Sequence, residues 1–202
     1  KYSLSIGLMS VSIGLIFGTT MGVLSAYYGG LVDTIIMRFI DALLAFPGIL
    51  LALVVIAVLG PGLFNVMLAV GISTVPEYAR LARGKVLSVM QLEYIEAIHS
   101  IGGSNIRVIL KHILPNISAP ITILATLQVG NAILVGSGLS FLGMGAQPPT
   151  PEWGLMTAEG RSFMSQAWWI STFPGIAILI TVISINQFGD GLREAIDPYF
   201  KE

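Results

Sequence analysis

The sequence predicts an all-α protein, a polytopic bundle of membrane helices, and three observations carry that prediction. Of its 202 residues, 54% are hydrophobic and only 10% are charged, whereas soluble domains carry about 25% charged residues. A membrane-spanning helix needs about 20 consecutive apolar residues. Four stretches of about that length or longer contain no charged residue. They are 2–32, 42–76, 112–151 and 162–189.

These uncharged stretches predict five spans in this fragment. The second stretch is long enough for two short spans, because LGPG at 59–62 supplies a turn between them. The predicted spans are A at about 3–28, B at about 42–59, C from about 63 to the low 80s, D at about 118–140 and E at about 168–188.

Basic residues predict how the bundle is oriented. Eight lysines and arginines fall on one side of the predicted membrane, and only Lys1 and Arg161 fall on the other. The positive-inside rule makes the richer side cytoplasmic. The fragment would then start outside and have a cytoplasmic C-terminus. An odd number of spans with an outside start predicts one more upstream span, which makes six in the full chain.

Two connections between the predicted spans are longer than a turn. One covers about 84–117 on the cytoplasmic side, and we call it the cytoplasmic insert. The other covers about 144–166 on the outside, and we call it the outer loop. We expect residues 1–202 to form one transmembrane domain around these connections.

Small residues recur every four positions along span A. Gly14, Gly18 and Gly22 lie on one face, with Ser10 and Ala26 extending the same stripe. Such a face lets another helix backbone approach closely. The pattern therefore predicts helix packing, and it leaves open whether the neighbouring helix belongs to the same chain.

Motifs for catalysis or cofactor binding are missing from the sequence. It contains no P-loop, no GxGxxG, no HExxH and no cysteine, and its net charge of −1 gives no basis for nucleic-acid binding. We therefore expect neither an enzyme nor a bound cofactor or metal. Glu77 and Arg80 are interpreted as a local pair near a helix end. Gln128, Asn131 and Asn186 either line a polar pathway or hydrogen-bond between helices.

The cytoplasmic insert has the pattern of two helices with a tight joint. Residues 86–101 suit a first helix, with Tyr94, Ile98 and Ile101 forming an apolar stripe. Gly102 and Gly103 then end that helix. Ser104 is a candidate N-cap for a second helix, which Pro115 would end or kink at the membrane. The pattern fits a hairpin on the membrane surface and a docking element for a cytosolic partner about equally well. A conduit without its own energy source favours docking.

The insert also resembles the cytoplasmic signature of the inner-membrane subunits of binding-protein-dependent ABC importers. That signature reads Glu-Ala-Ala, three residues, Gly, nine residues, Ile-x-Leu-Pro. Ile98 replaces its second Ala, and His112 replaces its Ile. The positions that match at this spacing are Glu96, Ala97, Gly102, Leu114 and Pro115.

The resemblance covers nearly the whole chain. AYYGG at 26–30, the Phe46-Pro47 step, QPPTPEWG at 147–154 and GDGLREAIDP at 189–198 look like the C-type permease subunit of dipeptide and oligopeptide importers. Nickel importers share this subunit type. The resemblance implies a multi-pass subunit of a bacterial or archaeal cytoplasmic (inner) membrane. It would form half of the translocation pathway for small peptides.

The resemblance also implies partners for this chain: a homologous second permease, two cytosolic ATP-binding subunits and an external substrate-binding protein that meets the outer loop. Membrane lipid would surround the spans. The insert would seat in a groove of an ATP-binding subunit. The residues expected to couple the chain to that subunit are Tyr94, Glu96, Ala97, Ile98, Ile101, Gly102, Leu114 and Pro115.

The residues alone leave other readings open. A self-contained channel or a gradient-driven transporter would need no ATPase, although such transporters usually carry an ionisable group within the bilayer. A membrane-embedded enzyme or an assembly factor is a third class, and the motif search does not favour an enzyme. The sequence does not separate dipeptide, oligopeptide and nickel as the substrate.

Overall fold

The computed structural model describes residues 1–196, and all regular structure in that range is helical. The helices are α1 (Tyr2–Tyr28), α2 (Gly30–Leu44), α3 (Gly48–Leu59), α4 (Leu63–Met90), α5 (Glu93–Ser100), α6 (Asn105–Val108), α7 (Leu114–Phe141), α8 (Trp153–Gly160) and α9 (Trp169–Ile196). A π-helical turn (Ile109–Ile113) joins α6 to α7, and a 3-10 turn (Arg161–Phe163) follows α8. The predicted all-α bundle is confirmed. The end of the GDGLREAIDP stretch and Lys201 lie outside the described residues.

Long apolar helices account for the predicted spans. Tyr2–Tyr28, Asn105–Phe141 and Trp169–Ala195 are each long and apolar enough to cross a membrane. Helices α2 and α3 pass the same test together, as a pair bent by 94°. Helix α4 is 28 residues long, and its first two thirds, from Leu63 to the low 80s, correspond to predicted span C. The helices are thus in rough agreement with five spans.

Predicted span B differs from a straight helix over 42–59. Helix α2 ends at Leu44, and α3 begins only at Gly48. Pro47 causes this break, because the residue before a proline avoids the helical region and proline has no N–H to donate. Helix α3 has 12 residues, about 18 Å at 1.5 Å per residue. It is therefore shorter than the hydrocarbon core of a bilayer, which is about 30 Å thick.

The small-residue stripe of α1 packs against α4 of the same chain. A Cβ atom added to Gly18 would lie 2.5 Å from the carbonyl oxygen of Val75 and 2.6 Å from Cβ of Tyr78. Added Cβ atoms on Gly14 and Gly22 would likewise collide with α4. Only glycine permits this approach, so the stripe fixes the distance between two helices of one bundle. That answers the question that the sequence pattern leaves open.

Ion pairs tie α2 to α4 at the predicted cytoplasmic side. Arg83 donates from Nε and Nη2 to the two carboxylate oxygens of Asp33, at 2.7 Å each. Ser25 of α1 also donates to Asp33. Arg80 pairs with Asp41 at 2.9 Å. The prediction that Arg80 pairs locally with Glu77 is therefore wrong, because Asp41 on the neighbouring helix takes the arginine.

The outer loop is folded around one buried glutamate. Glu152 is fully buried at the N-cap of α8, where its carboxylate accepts the N–H of Leu155 at 2.9 Å. Ser3 and Ser137 donate to the same carboxylate at 2.8 and 3.2 Å. These bonds join the loop to α1 and α7. The outer loop therefore has a defined position on the bundle.

Candidate functional site

The first half of the cytoplasmic insert is built by two helices. Helix α4 continues to Met90, the chain turns at Gln91 and Leu92, and α5 begins at Glu93. The single helix predicted over 86–101 is therefore divided. Leu92 has an extended backbone at the N-cap of α5. Glu93 and Glu96 then lie in the first turn of α5, where negative charge favours a helix.

A Schellman motif ends α5 at the two glycines. The N–H of Gly103 donates to the carbonyl of Ile98 at 2.9 Å, and the N–H of Gly102 donates to that of His99 at 3.0 Å. Gly102 has φ of +81°, which is the left-handed region that glycine enters without strain. The prediction that glycine caps this helix agrees with that geometry. The joint therefore has one defined backbone path.

Gly102 and Gly103 are required for different reasons. A Cβ atom on Gly102 would meet nothing within 4 Å, so only its backbone conformation demands glycine. A Cβ atom on Gly103 would lie 2.5 Å from Cγ2 of Ile98 and 2.8 Å from its carbonyl oxygen. Gly103 is thus a second essential position of the joint. The family signature alone did not single it out.

The second helix of the insert runs on into the membrane. Ser104 occupies the N-cap position of α6, although its side chain makes no capping bond. From Asn105 the helix continues to Phe141. Pro115 does not end it, because proline is tolerated in the first turn of α7 and the preceding π-helical turn relieves the clash with the earlier carbonyl. Of the two predicted effects of Pro115, an end of the helix is wrong, and a local irregularity is present as the π-helical turn.

Buried contacts hold the insert against the bundle. Ile95 of α5 and Val108 of α6 are almost completely buried and belong to the main core cluster. Tyr27 of α1 donates its hydroxyl hydrogen to Oδ1 of Asn105 at 3.0 Å. Tyr94 accepts from Nδ2 of Asn116 at 3.1 Å. The insert is thus packed against the bundle, and both sides of the joint are anchored.

The apolar stripe predicted on α5 is split by this packing. Ile98 faces the core and is half-buried, while Tyr94 is exposed. Ile101, beside the joint, is 85% exposed. Ile106, just after the joint, is 69% exposed. The apolar surface offered by the insert therefore surrounds the Gly102–Gly103 joint rather than following α5.

The remaining signature residues lie on both sides of the joint. Glu96 and Ala97 are exposed on α5, and Pro115 is exposed on α7, whereas Leu114 is half-buried. The carboxylate of Glu96 has no hydrogen-bond or salt-bridge partner within residues 1–196. It does not anchor the joint in this structure. Backbone hydrogen bonds fix the joint instead.

The three predicted pathway residues separate into two groups. Asn131 donates from Nδ2 to Oε1 of Gln128 at 3.1 Å, and Gln128 donates from Nε2 to Glu77. This chain of polar side chains joins α7 to α4. Asn186 of α9 is not part of this chain of polar groups and packs instead against Gly130 of α7. Glu77 was assigned to a helix end from sequence, and the structure adds it to the polar group.

Comparison with known protein families assigns the chain. The model of the family described as "Binding-protein-dependent transport system inner membrane component" matches residues 14–202. The chain belongs to this family. The prediction of a multi-pass permease subunit of an ABC importer is therefore confirmed.

Relatives of this inner membrane component are permeases for small peptides. This chain is 47% identical over 201 residues to the glutathione transport system permease protein GsiD of Pectobacterium atrosepticum. It is 48% identical over 201 residues to the dipeptide transport system permease protein DppC of Alkalihalophilus pseudofirmus. All of this chain is covered in both cases, with 67% and 66% of the two relatives. The chain thus spans about two thirds of their length.

Solved structures of ABC transporters share the fold. An inward-facing structure of the MetNI methionine ABC transporter contains a chain that matches with a TM-score of 0.75 at 18% identity. The match covers 97% of this chain and 93% of that one. A crystal structure of an amino acid ABC transporter with histidines matches with a TM-score of 0.72 at 12% identity, covering 96% and 90%. At these identities the likeness concerns the fold.

Proposed function

We propose that this chain forms half of the translocation pathway of an ATP-driven importer of small peptides. One observation supports the proposal most directly. The helix that leaves the Gly102–Gly103 joint is continuous from Asn105 to Phe141 and carries Gln128. Gln128 lies 23 residues after Asn105. At 1.5 Å per residue, the polar side chains around Gln128 are therefore about 35 Å from the joint. A push on the insert would therefore reach the pathway through one stiff helix.

The partners follow from this role. The chain would pair with a homologous second permease, and an external substrate-binding protein would deliver the peptide to the outer loop. Two cytosolic ATP-binding subunits would hydrolyse ATP, so this chain would need no nucleotide site or cofactor. The exposed apolar surface around the joint, with Ile101 and Ile106, is the part of the insert suited to their groove. We assign the C-terminus to the cytoplasm.

The domain organisation is part of the same proposal. Residues 1–202 would act as one transmembrane domain, with the cytoplasmic insert at about 84–117 and the outer loop at about 144–166. Helices α5 and α6 meet at a fixed joint and are anchored by buried side chains, which suits rigid-body transmission. The peptide substrate class is supported by the printed functions of the glutathione and dipeptide permease relatives.

Reconstitution tests the proposal. The complete chain in liposomes with its co-purifying permease, ATP-binding subunits and binding protein should take up a labelled dipeptide only when ATP is hydrolysed. The chain alone should give no flux. ATP-independent flux through the chain alone would instead support the self-contained channel or gradient-driven transporter. Co-purification that yields no ATP-binding subunit would contradict the proposed partners.

A further inference from the structure

A small polar cavity lies where three helices meet within the bundle. Its volume is about 240 Å³, below the range of about 300–1,000 Å³ for whole-ligand pockets and of a size for one end of a ligand. The beginning of α3, the middle of α4 and the outer half of α7 form its walls, and Glu77 and Asn131 are exposed in it. The residues that line it are Gly48, Ile49, Val70, Ser73, Thr74, Glu77, Asn131 and Val135.

Glu77 places a carboxylate on predicted span C, beside this cavity. It lies 14 residues after the start of α4 at Leu63, about 21 Å along the helix. Counted from Leu63, the outer end of predicted span C, that position falls in the inner third of a hydrocarbon core about 30 Å thick. Ionisable side chains at such positions are costly and rare, and they usually serve a transported ligand or a proton.

No basic side chain compensates Glu77 within residues 1–196. The arginines that follow it on α4 are both engaged by α2, Arg80 with Asp41 and Arg83 with Asp33. Gln128 donates one amide hydrogen bond to the carboxylate of Glu77. That bond orients the carboxylate without cancelling its charge. A carboxylate accepts about four hydrogen bonds in total, so Glu77 keeps most of its acceptor capacity.

The other polar groups of the cavity also present acceptors. Ser73 donates its hydroxyl hydrogen to the carbonyl of Val70, and Thr74 donates to that of Gly71, both at 2.8 Å. Asn131 donates one of its two amide hydrogens to Gln128 and presents its Oδ1 as an acceptor. The two hydroxyl hydrogens are therefore used within the protein, so acceptors outnumber donors in the cavity. The cavity fits a ligand that is positively charged and rich in donors.

We propose that Glu77, oriented by Gln128 and assisted by Asn131, binds the protonated amino terminus of a peptide on the translocation pathway. An ammonium group carries three donors and one positive charge, which matches the acceptors and the charge of the cavity. This inference rests on the proposed function, because it assigns a binding group to the same pathway. Gln128 acts as a positioning residue for Glu77.

Binding to the permease complex without the external binding protein tests the inference. The complete permease pair with its ATP-binding subunits would be placed in nanodiscs. The probes are Ala-Ala and N-acetyl-Ala-Ala, which lacks the charged amino group, and their Kd values are measured by equilibrium dialysis. The wild-type complex should bind Ala-Ala about tenfold more tightly than N-acetyl-Ala-Ala, because a charge-assisted hydrogen bond is worth about that factor.

Three variants locate the effect. Glu77→Gln should weaken Ala-Ala binding about tenfold and remove the preference for the free amine. Glu77→Asp keeps the charge and should retain the preference for Ala-Ala over N-acetyl-Ala-Ala. This variant still tests the inference if Glu77→Gln fails to assemble. Glu194→Gln, at an exposed position of α9, is the matched control and should bind like wild type.

Several outcomes would overturn the inference. They are equal affinity of wild type for both probes, unchanged affinity in Glu77→Gln, and no binding of either probe. ATP-driven uptake of Ala-Ala by the wild-type complex with its binding protein is measured in parallel. If the complex takes up Ala-Ala but shows no preference for the free amine in binding, the role of Glu77 is contradicted and the proposed function stands. If the complex takes up no Ala-Ala, the proposed function itself is contradicted.

Discussion

Glycine has different structural roles in the α1–α4 interface and in the cytoplasmic insert. Gly18 lies in a regular helix, and its missing side chain lets the backbone of α4 come within contact distance. Gly102 lies in open space, and its value is a backbone angle of +81° that other residues avoid. Glycine in the interface fixes a distance between helices. Glycine in the insert fixes a direction of the chain.

The first role concerns the stability of the folded bundle, and the second concerns the transmission of motion from the insert to the bundle. Substitution in the interface should push two helices apart and weaken the whole bundle. Substitution at the joint should leave the bundle folded and change how the insert meets its partner. The two regions therefore predict two different experimental signatures: loss of folded protein in the first case, and loss of coupling in the second.

The largest loss of stability is expected at the interface. Gly18→Ala places a methyl group against the carbonyl of Val75, so we expect a loss of about 3 kcal/mol in the free energy of unfolding. The measurement is a denaturation titration of the purified chain in detergent micelles. Gly84→Ala, within α4 and in open space, is the matched control. It should stabilise by about 0.5–1 kcal/mol through helix propensity. Equal effects of the two changes would contradict the packing account.

A smaller loss of stability, with a large loss of uptake, is expected at Gly103. Gly103→Ala forces its Cβ atom against Ile98 and disrupts the end of α5. We expect about 1–2 kcal/mol of local destabilisation and at least a tenfold fall in peptide uptake by the reconstituted importer. Wild-type uptake with a normally folded chain would show that the joint does not transmit motion.

The outer loop should lose a similar amount of stability, but only locally. Glu152→Ala removes the N-cap of α8 and the acceptor of two serine hydroxyls, and we expect about 2 kcal/mol of destabilisation confined to that loop. Hydrogen exchange at the amide of Leu155 measures it directly. Glu159→Ala, an exposed change on the same helix, should cost less than about 0.5 kcal/mol. Similar exchange in both variants would mean that Glu152 does not hold the loop.

Periodicity and charge distribution predict the elements of this fold better than their breaks. The all-α class, the helix end at Gly102 and the packing stripe of α1 follow from local rules. The break of span B at Pro47 and the continuous helix through Pro115 show why proline is ambiguous. The effect of a proline depends on whether the preceding helical turn can widen. A π-helical turn provides that widening before Pro115, whereas the helix breaks at Pro47.

Long-range polar contacts were least accessible from sequence. Glu77 is three residues from Arg80 and pairs with Gln128, which is 51 residues away. Glu152 accepts from Ser3, which is 149 residues away. Such contacts depend on tertiary packing, which no local pattern encodes. A carboxylate preceding a short helix after Pro151 was the available signal for the N-cap role of Glu152.

The central claim is that the Gly102–Gly103 joint transmits motion from the ATP-binding subunits to the bundle. Its most direct test is the ratio of peptide uptake to ATP hydrolysis, measured in the reconstituted importer with Gly102 substituted. A β-branched residue is severely strained at positive φ, whereas asparagine tolerates it. Gly102→Val should insert and fold normally while its uptake per ATP falls at least tenfold. Gly102→Asn should keep most of the wild-type ratio. A Gly102→Val complex that takes up peptide at the wild-type ratio would contradict the account.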